Sequence, residues 1–103
     1  NLMPHLRPET DVYVVLIGDV YAEAQKVIED LREMGANVAL DVSGNKMDKQ
    51  IKTAAKKGIH YVMFIGERDI ADEQYEVKNL ITGAAERHSA ARIVSIIKDY
   101  RGD

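Results

Sequence analysis

Residues 12–17, VYVVLI, decide the fold of this chain together with the glycine that follows them at position 18. The stretch is rich in β-branched side chains and has no polar face, which is typical of a strand covered by helices on both sides. Residues 61–65, YVMFI, repeat the pattern immediately before Gly66. Two strands of this kind predict an α/β sheet with a parallel core.

Helical patterns separate the strands. Apolar side chains in residues 20–31 recur at helical spacing, and this helix is predicted to be capped by Asp19 and to end at Gly35 in a left-handed conformation. A short alternating strand at 38–42 follows, and the next helix ends at Gly58. The predicted inner face of that helix carries Met47, Ile51, Ala54 and Ala55. This order predicts two right-handed βαβ units.

The hydrophobic pattern changes in the last third of the chain. Residues 74–80 alternate as a half-exposed strand, Thr82 and Gly83 predict a hairpin turn, and residues 84–87 form the return strand. Ser89 is predicted to cap a final helix, whose apolar stripe is Ala90, Ile93, Val94, Ile97 and Tyr100. These patterns predict three helices and a mixed sheet of four or five strands with an antiparallel edge.

The composition describes one ordinary domain. The chain has 103 residues, of which 46% are apolar, and 14 basic against 17 acidic residues give a net charge of −3. The absence of cysteine excludes disulfides, thiolate metal sites and a cysteine nucleophile. No apolar run suits a membrane span or a signal peptide, so we expect a cytoplasmic protein that does not enter a membrane. Residues 1–10 hold both prolines and are expected to be a linker from a missing upstream domain, which leaves 11–103 as the folded domain.

Motifs for catalysis or cofactor binding are missing from the sequence. His5, His60 and His88 have no second ligand at helical spacing, so we expect no metal site. The glycine patterns of nucleotide-binding loops and the GxSxG pattern of hydrolases do not occur. We therefore expect a domain with no catalytic residues and no cofactor of its own.

Lysines are concentrated in one segment. Residues 45–58 hold five lysines against one aspartate, a local charge of +4, and helical spacing places Lys46, Lys49, Lys52 and Lys56 on one face. Such a face can follow a phosphate chain, although an ordinary solvated face has the same composition. Position favours binding, because the helix begins after a turn at the carboxyl end of a predicted parallel strand, where ligands of open α/β sheets gather. Glu67 and Asp69 leave the same predicted edge, so their carboxylates could reach base edges.

Several segments resemble a known family in order and spacing. They are residues 12–18, the AEA and LREMG elements of the first helix, residues 41–58 with their DVSGNKMDKQIK run, FIGERD at 64–69, and VKNL with TG at 77–83. Together they resemble the anticodon-binding domain of class II aminoacyl-tRNA synthetases, and most closely its histidyl-specific branch. The resemblance implies a three-layer domain with a five-stranded mixed sheet flanked by three helices.

The same resemblance implies partners and roles. The domain would bind a tRNA anticodon stem-loop and follow a class II catalytic domain that uses ATP and magnesium, in a parent protein that is a homodimer. Lys46, Lys49 and Lys52 would contact phosphates, and Asn45 and Gln50 would lie near the loop. Gly44 would form a tight turn that lets RNA approach. Glu67 would lie beside the bases, and Asp69 and Lys78 would face the edges of anticodon bases.

Two alternatives remain open at this point. The chain could be a relative that kept the fold, lost RNA binding and serves as a protein-interaction module. It could also be a flavodoxin-like or receiver-like domain with a small anionic ligand. A receiver needs an aspartate at the end of its third strand, and Ile65 and Gly66 stand there instead. Without the class II catalytic motifs, the chain alone is not expected to charge tRNA.

Overall fold

The computed structural model of the protein describes residues 10–40 and 46–102. Its elements, in chain order, are β1 (Val12–Leu16), α1 (Tyr21–Glu33), β2 (Val38–Leu40), α2 (Met47–Lys56), β3 (Tyr61–Ile65), α3 (Glu67–Asp72), β4 (Tyr75–Asn79), β5 (Ala85–His88) and α4 (Ala90–Arg101). None of these helices is long and apolar enough to cross a membrane.

The five strands form one mixed sheet in the order β2-β1-β3-β4-β5. Strand β1 pairs in parallel with β2 and with β3, which gives the parallel core predicted from the buried runs. Strand β4 pairs antiparallel with β3 and with β5, so the predicted edge hairpin is confirmed. A crossover helix between parallel strands and a tight turn between antiparallel ones are the connections that these pairings require.

Helices cover both faces of the sheet, as the fully apolar central strands require. Helices α1 and α4 pack on one face, in a core whose largest fully buried side chains include Ile28, Leu31, Met63, Ile93 and Ile97. On the other face, the helix that packs over Tyr13, Val15, Val62 and Phe64 in the described part of the chain is α2. Residues 10–40 and 46–102 therefore form a three-layer α/β structure, with the sheet between α2 on one side and α1 and α4 on the other.

Helix α3 corrects the predicted count of three helices. The segment after β3 was expected to be a loop, but Glu67–Asp72 form a helix of six residues. Gly66 precedes it in an extended conformation, and the side chain of Asp69 accepts a hydrogen bond of 2.9 Å from the Gly66 N–H. This bond satisfies a backbone donor at the helix start, which stabilises so short a helix.

Two further expectations about helix boundaries and faces are wrong. Asp19 does not cap α1, because the helix begins at Tyr21 after Val20 and has no side-chain cap. Ala55 is exposed, whereas Ala54 is fully buried beneath α2 and Ile51 is half-buried. The side chain of Met47 lies outside the part of the chain that the structure describes. The inner face of α2 thus centres on Ala54 and does not extend to Ala55.

Other predicted helix ends are confirmed. The Ser89 hydroxyl accepts a hydrogen bond from the Arg92 N–H at the start of α4. Gly35 has a φ of 103° after α1, in the left-handed region that glycine occupies without strain. The end of α4 is tied to the start of the sheet, because Arg101 Nη1 lies 2.7 Å from the buried Asp11 Oδ2.

Candidate nucleic-acid interface

The carboxyl ends of β1, β2 and β3 lie at one edge of the sheet, because the three strands are parallel. Helix α2 follows β2 and helix α3 follows β3, so both helices begin at this edge. We call it the carboxyl edge. The predicted site residues Gly44 and Asn45 belong to the connection between β2 and α2 and lie outside the described residues.

Helix α2 presents its lysines to solvent. Lys46, Lys49, Lys52 and Lys56 are exposed, as predicted, while the fully buried Ala54 lies on the opposite side of the helix. Among residues 10–40 and 46–102, none of these lysines forms an ion pair with a carboxylate. Their charges are therefore not neutralised locally, and a polyanion that binds there would release counterions. We call Lys46, Lys49, Lys52 and Lys56 the lysine face.

Gln50 does not belong to the lysine face. Its residue is 8% exposed, and it lies on the side of α2 that packs toward the sheet. Helical geometry could have shown this, because Gln50 follows Lys49 directly and neighbouring helical residues point about 100° apart. A direct contact between the Gln50 side chain and RNA is therefore not part of the interface that the structure supports.

Asp69 lies at the carboxyl edge, as predicted, but both of its oxygens are already in use. Oδ2 accepts the Gly66 N–H, and Oδ1 lies 3.0 Å from Arg87 Nη2. Arg87 also donates to the Gln74 carbonyl oxygen at 3.0 Å and approaches Asp72 at 3.5 Å. Each carboxylate oxygen can accept a second hydrogen bond, but the Asp69 side chain is only 17% exposed, so a base could approach it from a limited direction. Its predicted contact with a base stays a prediction.

The sequence analysis did not identify Arg87 as a site residue. Arg87 lies on the edge strand β5, opposite Glu76 of β4, and its side chain reaches across to α3. No spacing in the sequence relates Arg87 to a carboxylate 18 residues away. The register of the β4–β5 hairpin brings the two together, and that register was not predicted.

Lys78 is not at the carboxyl edge. It pairs with Val62, near the amino end of β3, so it lies about 10 Å along the strand from Ile65. Residues paired directly across a sheet share a face, and Val62 lies under α2, so half-buried Lys78 is on the α2 face. The structure therefore places Lys78 on the side of the sheet that α2 covers, but away from the carboxyl edge.

Glu67 is exposed at the start of α3, on the other side of the carboxyl edge. It lines a cavity with Asp19 and Glu23, next to the start of α1. Helix α3 packs its Ile70 into the core shared with α1 and α4. The carboxyl edge thus has a basic side at α2 and an acidic side at α1 and α3, and Glu67 belongs to the acidic side.

These features define a class of protein. The resemblance noted above implies a three-layer α/β domain with a five-stranded mixed sheet, and the structure has this architecture. Lys46, Lys49 and Lys52, to which the resemblance assigns phosphate contacts, are exposed on α2. The family model described as the anticodon binding domain matches residues 11–100, and the chain belongs to this family.

Curated relatives narrow the family. The chain is 42% identical over 82 residues to the histidine–tRNA ligase of Micrococcus luteus. This alignment covers 79% of the chain and 18% of the relative. It is 38% identical over 73 residues to the histidine–tRNA ligase of Halobacterium salinarum, covering 71% of the chain and 17% of the relative. The chain is an anticodon-binding domain of the histidine–tRNA ligase type, and it spans less than a fifth of the length of these two relatives.

Solved structures agree with the fold. Histidyl-tRNA synthetase from Nostoc sp. PCC 7120 superposes with a TM-score of 0.80 at 26% identity, over 89% of this chain and 22% of that one. The histidyl-tRNA synthetase of S. aureus gives a TM-score of 0.77 at 26% identity, over 94% of this chain and 25% of that one. The RNA binding domain of threonyl-tRNA synthetase from Cryptosporidium parvum shares the fold, with a TM-score of 0.77 at 19% identity, over 88% of this chain and 23% of that one.

Proposed function

We propose that this domain binds the anticodon stem-loop of a histidine tRNA, as the C-terminal domain of a histidine–tRNA ligase. The observation that carries the proposal is the lysine face of α2, four exposed ammonium groups without carboxylate partners in the described part of the chain. A stem-loop presents phosphates on a curved strand, and contacts from ammonium groups along one helix fix its position without reading its sequence. Family membership and the named relatives support the same partner.

Lys46, Lys49 and Lys52 are the proposed phosphate contacts. Lys46 and Lys49 lie at the start of α2, closest to the carboxyl edge, and Lys52 lies just past its middle, whereas Lys56 is its last residue. Gly44 and Asn45 precede them in the chain and are proposed to touch the loop. Base readout is proposed to come from polar side chains at the same edge, where Asp69 would accept a hydrogen bond from a base beside its contact with Arg87.

The rest of the parent protein is also a matter of proposal. The relatives are several times longer than this chain, so we place a class II catalytic domain upstream of it and take residues 1–10 as the linker. That domain would use ATP and magnesium to activate histidine and charge the tRNA, and this domain would supply none of the catalytic groups. A cytoplasmic homodimer is the proposed state of the parent.

Binding of synthetic RNA tests the proposal. Fluorescence anisotropy at low salt should show that a stem-loop with the histidine anticodon binds about tenfold more tightly than the same stem-loop with an unrelated anticodon. Equal affinity for both would mean that the domain holds phosphates but does not read the anticodon. No binding of either RNA at low salt would favour the protein-interaction alternative instead.

A further inference from the structure

A second surface lies on the opposite side of the sheet from the lysine face. Two adjoining cavities of about 640 and 440 Å³ run between α1 and α3, and both are lined by Glu23 and Ile70. Val27 and Tyr75 form part of the wall of the larger one. Because the two cavities share residues, they make one groove, which we call the α1–α3 groove.

The groove has apolar walls and an acidic rim. Five carboxylates line the groove, namely those of Asp19, Glu23, Asp30, Glu67 and Glu73. The ammonium group of Lys26 lies among them. Within residues 10–40 and 46–102, none of the five is in an ion pair. The groove therefore carries an excess of negative charge that the domain itself does not balance.

Tyr75 gives the groove an unused hydrogen-bonding group. The residue is 5% exposed and lines the larger cavity, yet its hydroxyl makes no hydrogen bond to any described residue. Burial, followed by the charges of Glu73, Asp69 and Asp30, raises the pKa of the Tyr75 phenol. The hydroxyl keeps its proton and sits in a field that favours cations. The hydroxyl is not among the buried polar atoms that lack a partner, so water reaches it, and an occupant of the groove can replace that water as its hydrogen-bond partner.

The chemistry of the groove limits what can occupy it. The five carboxylates exclude a nucleic acid from the groove, because they would repel its phosphates. Described residues offer no set of three ligands suited to a metal ion. What remains is an organic cation with apolar surface beside it, which in a protein is a lysine or arginine next to an aliphatic side chain.

We propose that the α1–α3 groove docks a basic segment of a partner protein. One lysine or arginine of the partner lies between Glu23, Asp30 and Glu73, where it reaches the Tyr75 hydroxyl. A neighbouring aliphatic side chain packs on Ile70. The domain thereby holds RNA with one face and a protein with the other, and the two partners do not compete.

A model peptide tests this surface. The probe is an acetylated, amidated peptide of arginine, leucine and alanine in which arginine and leucine recur on adjoining helical faces, and the control probe has glutamine in place of arginine. Affinity is measured by fluorescence anisotropy, and the site by amide NMR shifts. The paired substitution Glu23→Gln with Glu73→Gln removes two groove charges. Its matched control, Glu29→Gln with Glu33→Gln, removes two exposed charges of α1 that do not line the groove.

The expected result has three parts. The arginine peptide shifts the amides of Ile70 and Tyr75, the groove pair of substitutions weakens its binding about tenfold, and the control pair leaves it within about twofold. Tyr75→Phe, which removes the hydroxyl but keeps the ring, also weakens binding. Equal losses from both pairs, equal binding of the glutamine peptide, or shifts confined to other elements would overturn the proposal. Shifts of Ile70 and Tyr75 on addition of the anticodon stem-loop would overturn it as well, in favour of RNA.

Discussion

Arg87 Nη2 lies 3.0 Å from Asp69 Oδ1 and thereby joins the edge strand β5 to the start of helix α3. The contact spans the carboxyl edge at the position where a base-reading carboxylate was predicted. The Asp69 side chain is 17% exposed and that of Arg87 is 41% exposed, so water screens the pair only in part. Because Asp69 also holds the Gly66 N–H, this pair positions the start of α3.

Replacing Arg87 with methionine should lower the free energy of unfolding by about 1 kcal/mol. The ion pair is partly exposed, which keeps its contribution small, and the lost bond to the Gln74 carbonyl adds to it. Urea denaturation measures the change. Arg68→Met is the matched control, since Arg68 is an exposed residue of α3 without an ion pair in the described chain. Equal effects of the two substitutions would show that Arg87 contributes no specific contact.

The Asp11–Arg101 pair should matter more to stability. Their side chains are 4% and 13% exposed, and Asp11 also accepts the Asn37 N–H at 2.9 Å. Arg101→Met leaves a buried carboxylate with one partner fewer, so we expect a loss of about 3 kcal/mol. Adding Asp11→Asn to that variant removes the uncompensated charge and should restore part of the loss. A double variant that is less stable than Arg101→Met would contradict this explanation.

The packing of α2 can be tested at two adjacent alanines. Ala54 is fully buried against the sheet, whereas Ala55 faces solvent. Ala54→Leu should destabilise the domain by about 2 kcal/mol, because the larger side chain has no space between helix and sheet. Ala55→Leu should change the stability by less than about 0.5 kcal/mol. Thermal unfolding of both variants checks the prediction, and a larger loss at Ala55 would mean that α2 packs by a different face.

Acid should weaken the domain through His60. Burial lowers the pKa of His60 from its ordinary value of 6.5, and the ring packs on Tyr61 and Tyr100 with centroids 5.2 and 4.1 Å away. The unfolded chain then binds more protons at this site than the folded one, so stability rises with pH and is lost as the pH falls below about 6.5. Replacing His60 with phenylalanine should flatten this part of the curve of melting temperature against pH. An unchanged curve would assign the dependence to other groups.

Much of the fold could be predicted, because its signals are local. The sequence runs 12–17 and 61–65 are apolar on both faces, which requires helices above and below the sheet, and the structure has both layers. Ser89 marks the start of α4 because its hydroxyl accepts a backbone hydrogen bond, and Gly35 marks the end of α1 because it has no side chain to hinder a positive φ. Helix α3 was missed because six residues are too few for a helical period to show in the sequence.

The candidate site was harder to predict, because it depends on register and on the direction of single side chains. The exposed lysines follow from helical spacing and were correctly placed on one face. Lys78 was assigned with Asp69 to anticodon base edges, and its pairing with Val62 places it about 10 Å along the strand from the carboxyl edge, so that role stays a prediction. The Arg87 contact with Asp69 depends on the β4–β5 register, which a single sequence does not determine.

The salt dependence of binding by Lys49→Gln and Lys26→Gln tests the central claim most directly. Each variant loses one exposed lysine, the first from the lysine face and the second from α1 on the opposite side of the sheet. For the anticodon stem-loop, the plot of log affinity against log salt should lose about 0.7–0.9 of its slope in Lys49→Gln, because one phosphate contact is gone. The slope in Lys26→Gln should match that of the unchanged protein. Equal slopes in all three proteins, or a loss confined to Lys26→Gln, would contradict the assignment of RNA binding to helix α2.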